Sequence, residues 1–278
     1  MKTHYDFDRL IERKGTSSLK WDTSARLTGV DGLLPLWVAD MDFEAPPEIR
    51  EALAGRLEHG VYGYTIEPES YFQAAMDWIR RRHGWEVRRE WMLSSPGVIP
   101  SLSASILALT EPGDGIIIQP PVYHLFAMRI NGNGRRVVEN PLVLSGTRWE
   151  IDFEGLEKII DARTRMMVLC SPHNPVGRVW RRQELERLVE VCARRRLILV
   201  SDEIHYDLVM PGFRHVPVAS LSPEASRITV TLLAATKTFN LAGLGGSLAI
   251  AEDPEIRRRL DVVQHNLFGG LMNVFAAA

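Results

Sequence analysis

Apolar runs rich in Ile, Val and Leu alternate along this chain with segments whose apolar residues recur at helical spacing. The apolar runs predict buried strands, and the segments with helical spacing predict amphipathic helices. The predicted strands are 116–118, 137–138, 166–170, 197–201, 228–233 and 247–251. The predicted helices are 46–60, 68–83, 100–110, 123–130, 153–160, 183–195 and one that begins near 254.

This order of elements predicts an α/β fold. Strands that are apolar along their whole length are buried on both faces, and helices between them usually cover a parallel sheet. We therefore expect a three-layer α/β/α domain with a mostly parallel sheet over residues 46–270. Residues 1–45 have little periodicity and predict an extended N-terminal arm that includes the apolar run 33–38, and residues 271–278 would begin a further C-terminal region.

Composition narrows the class of protein. Hydrophobic residues make up 45% and charged residues 24%, as in globular proteins, and a formal net charge of −2 favours neither nucleic acid nor an anionic membrane as partner. Cys170 and Cys192 have neither metal-site nor redox spacing, which argues against zinc and against a disulfide framework. With no signal-like or membrane-spanning apolar segment in the sequence, we expect a cytoplasmic protein.

Polar residues follow three of the predicted strands directly. Asn174 follows the strand that ends at Cys170, Asp202 follows the next strand, and Lys237 follows the strand that ends at Leu233. In open α/β sheets, ligands bind outside the carboxyl ends of the strands. We therefore expect an amide, a carboxylate and an amine to converge at one edge.

Each of these residues taken alone has a more ordinary interpretation. Asp202 would cap a helix, Asn174 would start a turn with Pro175, and Lys237 would be a solvated loop lysine. Lys237 is unusual, however, because it lies between an apolar strand and the glycine-rich segment 241–246, away from other basic residues. A desolvated lysine has a lowered pKa and is a competent Schiff-base nucleophile.

A fourth feature precedes the third predicted helix. Gly97, Val98 and Ile99 form a glycine turn that enters this helix, with Pro100 near its first position. Free backbone N–H groups at such a turn suit a phosphate, although many helices begin in this way.

The combination of these sequence motifs identifies a protein family far more specifically than any one of them. Three motifs follow successive strands: Asn-Pro-x-Gly, Ser-Asp-Glu-Ile-His and Lys-Thr-Phe-Asn. Further motifs are Trp37–Phe43, Val61–Thr65, Gln119–His124 and Val176–Trp180. Together they resemble the fold-type I aminotransferase superfamily (class I/II), and more narrowly its cystathionine β-lyase-like, or C–S lyase, branch. The resemblance spans nearly the whole chain.

This resemblance implies pyridoxal 5′-phosphate as the cofactor and a role for each matching residue. Lys237 would form the Schiff base and shuttle a proton, Asp202 would pair with the pyridine nitrogen, and Asn174 would bind the ring 3-oxygen. Tyr123 would stack on the ring, and His205 would lie close to it. Lys237, Asp202 and Tyr123 are thus the expected catalytic residues, with no metal.

The phosphate site is implied in the same way. The backbone of residues 97–99 would hold the phosphate, Thr236 would add a hydroxyl, and Tyr64 would reach the phosphate in the neighbouring subunit of a homodimer. Two positions depart from the family, since Ala234 and Gly245 stand where many members have a phosphate-binding serine and arginine. Members also continue into a small C-terminal domain with the arginine that binds the substrate carboxylate, and this chain ends near its start.

The expected activity is a C–S β-lyase that releases thiol, pyruvate and ammonia from cysteine-type amino acids. An aminotransferase would share the early steps of this reaction, and only the motifs typical of the C–S lyase branch favour the lyase. A shortened, catalytically silent homologue with a binding or regulatory role is the alternative from another class. A nicotinamide dehydrogenase is disfavoured because no Gly-x-Gly-x-x-Gly opens a strand-to-helix turn.

Overall fold

The computed structural model describes residues 5–269 and 272–278. The strands are β1 (Met92–Ser95), β2 (Gly115–Ile118), β3 (Arg136–Glu139), β4 (Val143–Ser145), β5 (Arg148–Glu150), β6 (Thr164–Cys170), β7 (Ile198–Asp202), β8 (Thr229–Leu233) and β9 (Ser247–Ile250). The α-helices are α1 (Leu19–Asp22), α2 (Ser24–Thr28), α3 (Pro47–His59), α4 (Glu69–His83), α5 (Val98–Leu109), α6 (Leu125–Gly132), α7 (Phe153–Ile159), α8 (Arg182–Arg194), α9 (Pro223–Ile228), α10 (Ala235–Thr238) and α11 (Pro254–Phe268).

Seven of the strands form one sheet in the order β1-β9-β8-β7-β6-β2-β3. Strands β3, β2, β6, β7 and β8 pair in parallel, whereas β9 is antiparallel to both β8 and β1. The carboxyl ends of β6, β7 and β8 therefore lie side by side at one edge. Strand β1 runs in the same direction as β8, so its carboxyl end reaches that edge too.

Side chains alternate between two cores on opposite faces of the sheet. Ile116 and Ile118 point into a core with α5, α6 and α11, whereas Ile117 points into a core with α7 and α8. The first core buries Leu102, Phe126 and Leu260, and the second buries Leu156, Leu185 and Leu188. Burial on both faces explains why these strands are apolar at every position. The predicted three-layer fold with a mostly parallel sheet is confirmed.

Several elements differ from the sequence-based expectation. The arm contains the short helices α1 and α2, although periodicity predicted extended chain. Helix α5 begins at Val98 rather than Pro100, with Gly97 as its N-cap. Strand β1 and the β4–β5 hairpin were not predicted. Helices of four or five residues gain little from propensity and depend on tertiary contacts, which a periodic pattern does not report.

The cysteines are both buried free thiols. Burial raises the pKa of Cys170 above its usual range and that of Cys192 to about 12, so neither is an activated nucleophile. Within the residues that the structure describes, no helix has the length and apolar character needed to cross a membrane.

Candidate active site

Three neighbouring strands deliver the predicted polar residues to one edge of the sheet. Cys170 pairs with Asp202 across β6 and β7, and Asp202 pairs with Leu232 across β7 and β8. Asn174 lies in the loop after β6, Asp202 is the last residue of β7, and Lys237 lies in the short helix α10 after β8. The carboxyl ends of the three strands are therefore neighbours in the sheet.

Asp202 is a buried carboxylate, and no cationic side chain among the described residues donates a hydrogen bond to it. Its side chain accepts a hydrogen bond from the backbone N–H of Ile204 (3.1 Å), and the residue is only 5% exposed. Burial raises the pKa of Asp202 to about 7, and the nearby Glu203 acts in the same direction, against the Ile204 N–H and the charge of Lys237. A cation placed beside Asp202 would restore its ionised form.

Lys237 is half-buried and lies within electrostatic range of two carboxylates. Burial lowers its pKa, while the charges of Asp40 and Asp202 partly oppose this effect. His205 is also affected, because burial and then the charge of Lys237 lower the pKa of its imidazole. A larger share of the Lys237 amine is therefore in the nucleophilic free-base form at neutral pH than for an exposed lysine.

Tyr123 and Asn174 lie beside these charged groups. Burial raises the pKa of Tyr123, and the charge of Asp202 adds to the effect. The Asn174 backbone N–H donates to Cys170 Sγ at 3.3 Å. Asn174 and His205 line one cavity of about 290 Å³, to which the arm contributes Ala39.

The turn before α5 lies next to the loop that follows Lys237. Gly246 donates its N–H to the carbonyl of Pro96 at 2.9 Å. Gly245 has φ 72°, a left-handed conformation that favours glycine. A Cβ at this position would lie only 2.9 Å from the same carbonyl oxygen, so any other residue would require the backbone to move. Gly97 offers no side chain to cap α5, which leaves the first N–H groups of the helix, at Val98 and Ile99, for a ligand.

One predicted site residue, Tyr64, is not brought into this cluster by the chain itself, whereas Thr236 lies in α10 directly before Lys237. Tyr64 is 95% exposed and lies on the surface. The Thr236 carbonyl accepts from Leu241 N–H at 2.8 Å, whereas its hydroxyl makes no hydrogen bond within the described residues. A role for Tyr64 therefore depends on a second subunit.

Sequence reasoning missed two residues that hold the Lys237 segment. Asp207 accepts hydrogen bonds from Thr238 Oγ1 (2.9 Å) and Trp78 Nε1 (2.9 Å), and it lies 3.0 Å from His83 Nε2. The side chain of Asn240 bonds to the backbone of the arm. Asn240 ends the Lys-Thr-Phe-Asn motif and Asp207 lies two residues after the Ser-Asp-Glu-Ile-His motif, and this placement is the sequence signal that pointed to them.

Comparison with known protein families agrees with the geometry. The sequence profile of "Aminotransferase class I and II" matches residues 32–277, which is most of the chain. The chain belongs to the class I and II aminotransferase family. The resemblance inferred from the motifs is thereby confirmed.

Members of the aminotransferase class I and II family with known names or structures are similar over nearly the whole chain. Cystathionine β-lyase PatB of Bacillus subtilis is 46% identical over 273 residues, which cover 98% of this chain and 70% of the relative. A structure of a PLP-bound putative aminotransferase from Clostridium difficile has a TM-score of 0.95 at 40% identity and covers 99% of this chain and 71% of that chain. Cystalysin from Treponema denticola, whose structure contains pyridoxal 5′-phosphate, has a TM-score of 0.94 at 38% identity with the same coverage.

Proposed function

We propose that this chain is a pyridoxal-phosphate-dependent C–S β-lyase that releases thiol, pyruvate and ammonia from cysteine-type amino acids. The observation that carries the proposal is the buried carboxylate of Asp202 at the same sheet edge as the partly buried amine of Lys237. The 46% identity to a cystathionine β-lyase and the likeness to cystalysin support the lyase outcome.

The donor set at this edge fits the cofactor. Asp202 is buried with its pKa raised to about 7 and would be ionised again beside the protonated ring nitrogen. Lys237 offers the amine that condenses with an aldehyde. The uncapped N-terminus of α5 offers N–H groups to the phosphate, and Asn174 offers its side-chain amide to the ring oxygen. Tyr123 and His205 would flank the ring, and Thr236 would add its hydroxyl near the phosphate.

When bound, pyridoxal phosphate withdraws electrons from the amino-acid Cα and so makes its proton acidic. Asp202 maintains that withdrawal by holding a proton on the ring nitrogen through a charge-assisted hydrogen bond. The Lys237 amine would take the proton from Cα of the substrate. The Cβ–S bond then breaks with its electron pair on sulfur, and hydrolysis of the remaining three-carbon amine gives pyruvate and ammonia.

The direct test is pyruvate release. The purified chain supplied with pyridoxal phosphate and cystathionine, without any added 2-oxo acid, is expected to release pyruvate and ammonia in equal amounts. The Lys237→Ala variant serves as the blank. Absence of pyruvate from a chain that binds the cofactor would contradict the lyase proposal.

A second candidate is an aminotransferase, which the 40% identity to a putative aminotransferase favours. An aminotransferase would keep the Cβ–S bond of the substrate and release the matching 2-oxo acid, whereas the lyase breaks that bond. The chain would then convert an amino acid only when a 2-oxo acid such as 2-oxoglutarate is present. The same assay with and without the 2-oxo acid separates the two activities.

We also infer a homodimer, because several apolar side chains of the arm and of the segment that carries Tyr64 are exposed. Its members Leu34, Leu36, Val61, Tyr64 and Ile66 are each more than half exposed. Such patches commonly mark protein–protein contacts. Tyr64 in this surface would reach the phosphate bound by the partner.

Tyr64→Phe is expected to weaken pyridoxal phosphate binding by roughly tenfold, because a hydrogen bond to a charged phosphate contributes about 1.5 kcal/mol or more. The matched control is Tyr62→Phe, whose hydroxyl donates to Leu57 O within its own chain (3.0 Å). Fluorescence titration measures both affinities, and sedimentation velocity measures the oligomeric state. A monomer that binds the cofactor tightly would refute the role of Tyr64.

The domain division, the substrate class and the location remain proposals. The division into an arm over 1–45, a cofactor-binding domain over 46–270 and the beginning of a further region over 271–278 is the simplest account of the element order, and residues 1–4, 270 and 271 lie outside the described residues. The proposed substrate is a small-molecule amino acid, and the proposed location is cytoplasmic.

A further inference from the structure

The arm carries a cluster of ion pairs around two aspartates. Arg13 contacts Asp40 Oδ2 at 2.5 Å and Asp42 Oδ1 at 2.7 Å. Lys20 contacts Asp42 Oδ2 at 2.7 Å and donates to the Asp40 carbonyl at 2.9 Å. Trp21 Nε1 donates to Asp42 Oδ1 at 2.8 Å. These contacts fix the positions of both carboxylates.

The two carboxylates differ in how fully they are paired. Both oxygens of Asp42 have cationic partners, and hydrogen bonds from Lys20, Trp21 and Arg13 outweigh burial to lower its pKa to about 2. Asp40 has Arg13 on Oδ2 only, and its Oδ1 is buried without a hydrogen-bond partner among the described residues. An unpaired buried carboxylate oxygen is costly, so a donor for Oδ1 would be stabilising.

The arm is tied to the Lys237 segment by Asn240, three residues after the lysine. Asn240 Oδ1 accepts from Met41 N–H at 2.9 Å, and Nδ2 donates to the carbonyls of Met41 (3.1 Å) and Phe43 (2.8 Å). Asn240 has φ 58°, a left-handed conformation that asparagine tolerates better than most residues. We call these three bonds the Asn240 clasp. The clasp holds the residue after Asp40 against the loop that carries Lys237.

The charged and titratable groups that act on Lys237 come from three segments. Asp40 approaches from the arm, and Asp202 lies at the end of β7. His205 lies in the loop after β7, and its pKa is lowered by burial and by the lysine. Of the two carboxylates, Asp202 is matched to the cofactor ring, whereas Asp40 has no role in the proposed function.

We propose that Asp40 is a positioning residue for Lys237: its carboxylate, fixed by Arg13 and the Asn240 clasp, attracts the Lys237 ammonium and sets the fraction of free amine. The reactivity of Lys237 then depends on the arm being docked. This inference concerns the same lysine as the proposed function, but its test requires no cofactor chemistry.

The test measures the titration of Lys237 in the cofactor-free chain. Trace labelling of amines with acetic anhydride at a series of pH values, followed by mass spectrometry of the Lys237 peptide, gives the midpoint at which the free amine appears. Exposed Lys158 in the same digest is the internal reference. A chain that never binds pyridoxal phosphate still yields this result, so failure of the proposed function and failure of this inference are distinguishable.

Asp40→Asn is expected to lower the Lys237 midpoint by about one pH unit, which increases labelling roughly tenfold below the midpoint. Asp42→Asn is the matched control, since it removes a neighbouring charge with the same Arg13 partner, and it is expected not to lower the midpoint. Arg13→Gln removes a cation and keeps the Asp40 charge, so it is expected to raise the midpoint.

An Asp40→Asn midpoint that is unchanged or raised would overturn the proposal, because a loosened arm would hydrate Lys237 and raise its pKa. A shift of the same sign in all three variants would also overturn it, since this would indicate general loosening. If Asp40→Asn does not fold, as circular dichroism would show, Asp40→Ser is measured in its place, and its Lys237 midpoint is expected to fall in the same way.

Discussion

Lys237→Ala is expected to abolish covalent capture of pyridoxal phosphate and to lower lyase turnover by at least about a thousandfold, because it removes both the amine that binds the cofactor and the base at Cα. The measurement is borohydride reduction of the loaded chain followed by peptide mapping. In the unmodified chain the label is expected on Lys237 alone.

The control for this substitution is Lys158→Ala. Lys158 is exposed in the last turn of α7, and its loss is expected to change neither labelling nor turnover. Reducible cofactor in the Lys237→Ala variant, or a label that maps to another lysine, would show that the assignment of the amine is wrong.

Asp202→Asn is expected to lower kcat by at least about a hundredfold. Asparagine keeps the shape of the side chain but loses the negative charge that holds a proton on the ring nitrogen, and this interaction strengthens as charge develops during the reaction. Substrate affinity should change much less than kcat. A variant with unchanged kcat would exclude the proposed pairing with the ring.

Asp202→Asn, which is expected to lower kcat, is expected to increase the stability of the cofactor-free chain. The pKa of Asp202 is about 7 in the folded cofactor-free chain, above the roughly 3.9 of an unfolded aspartate, so the folded state binds the proton more tightly. The stability of the unmodified chain therefore falls as pH rises from about 4 to about 7, whereas asparagine does not titrate. The gain in unfolding free energy from Asp202→Asn is expected to be about 2–3 kcal/mol larger at pH 8 than at pH 5.

Urea unfolding of the cofactor-free proteins at the two pH values measures this difference. Comparison of one variant at two pH values serves as its own control, because any change in packing contributes equally at both. An equal gain at pH 5 and pH 8 would mean that Asp202 does not titrate in this window. A carboxylate that destabilises the empty site while supporting catalysis is typical of functional positions.

The fold was largely predictable because burial imposes the pattern of apolar residues. Strands buried on both faces must be apolar throughout, and helices on one face must be amphipathic, so β2, β6, β7 and β8 were found within a few residues of their observed ends. The convergence of Asn174, Asp202 and Lys237 followed from one rule, that parallel strands present their carboxyl ends at the same edge.

The contacts that support this site were decided only by the tertiary structure. The Asn240 clasp joins residues 199 positions apart along the chain, and Trp78 reaches Asp207 across 129 positions. Such pairs leave no periodic signal, since each depends on where two separately folded segments meet. The short helix α1 of the arm likewise forms where Asp42 accepts hydrogen bonds from Lys20 and Trp21.

The sequence by itself therefore determined which segments are strands and helices, which residues lie at the strand ends, and which family the motifs resemble. Tertiary structure alone decided that Asp202 is buried enough to hold its proton near neutral pH, that Asp40 lies near Lys237, and that Tyr64 faces outward. The physical reason is that desolvation and charge–charge effects depend on distances and burial in space, whereas periodicity reports only which face of an element is covered.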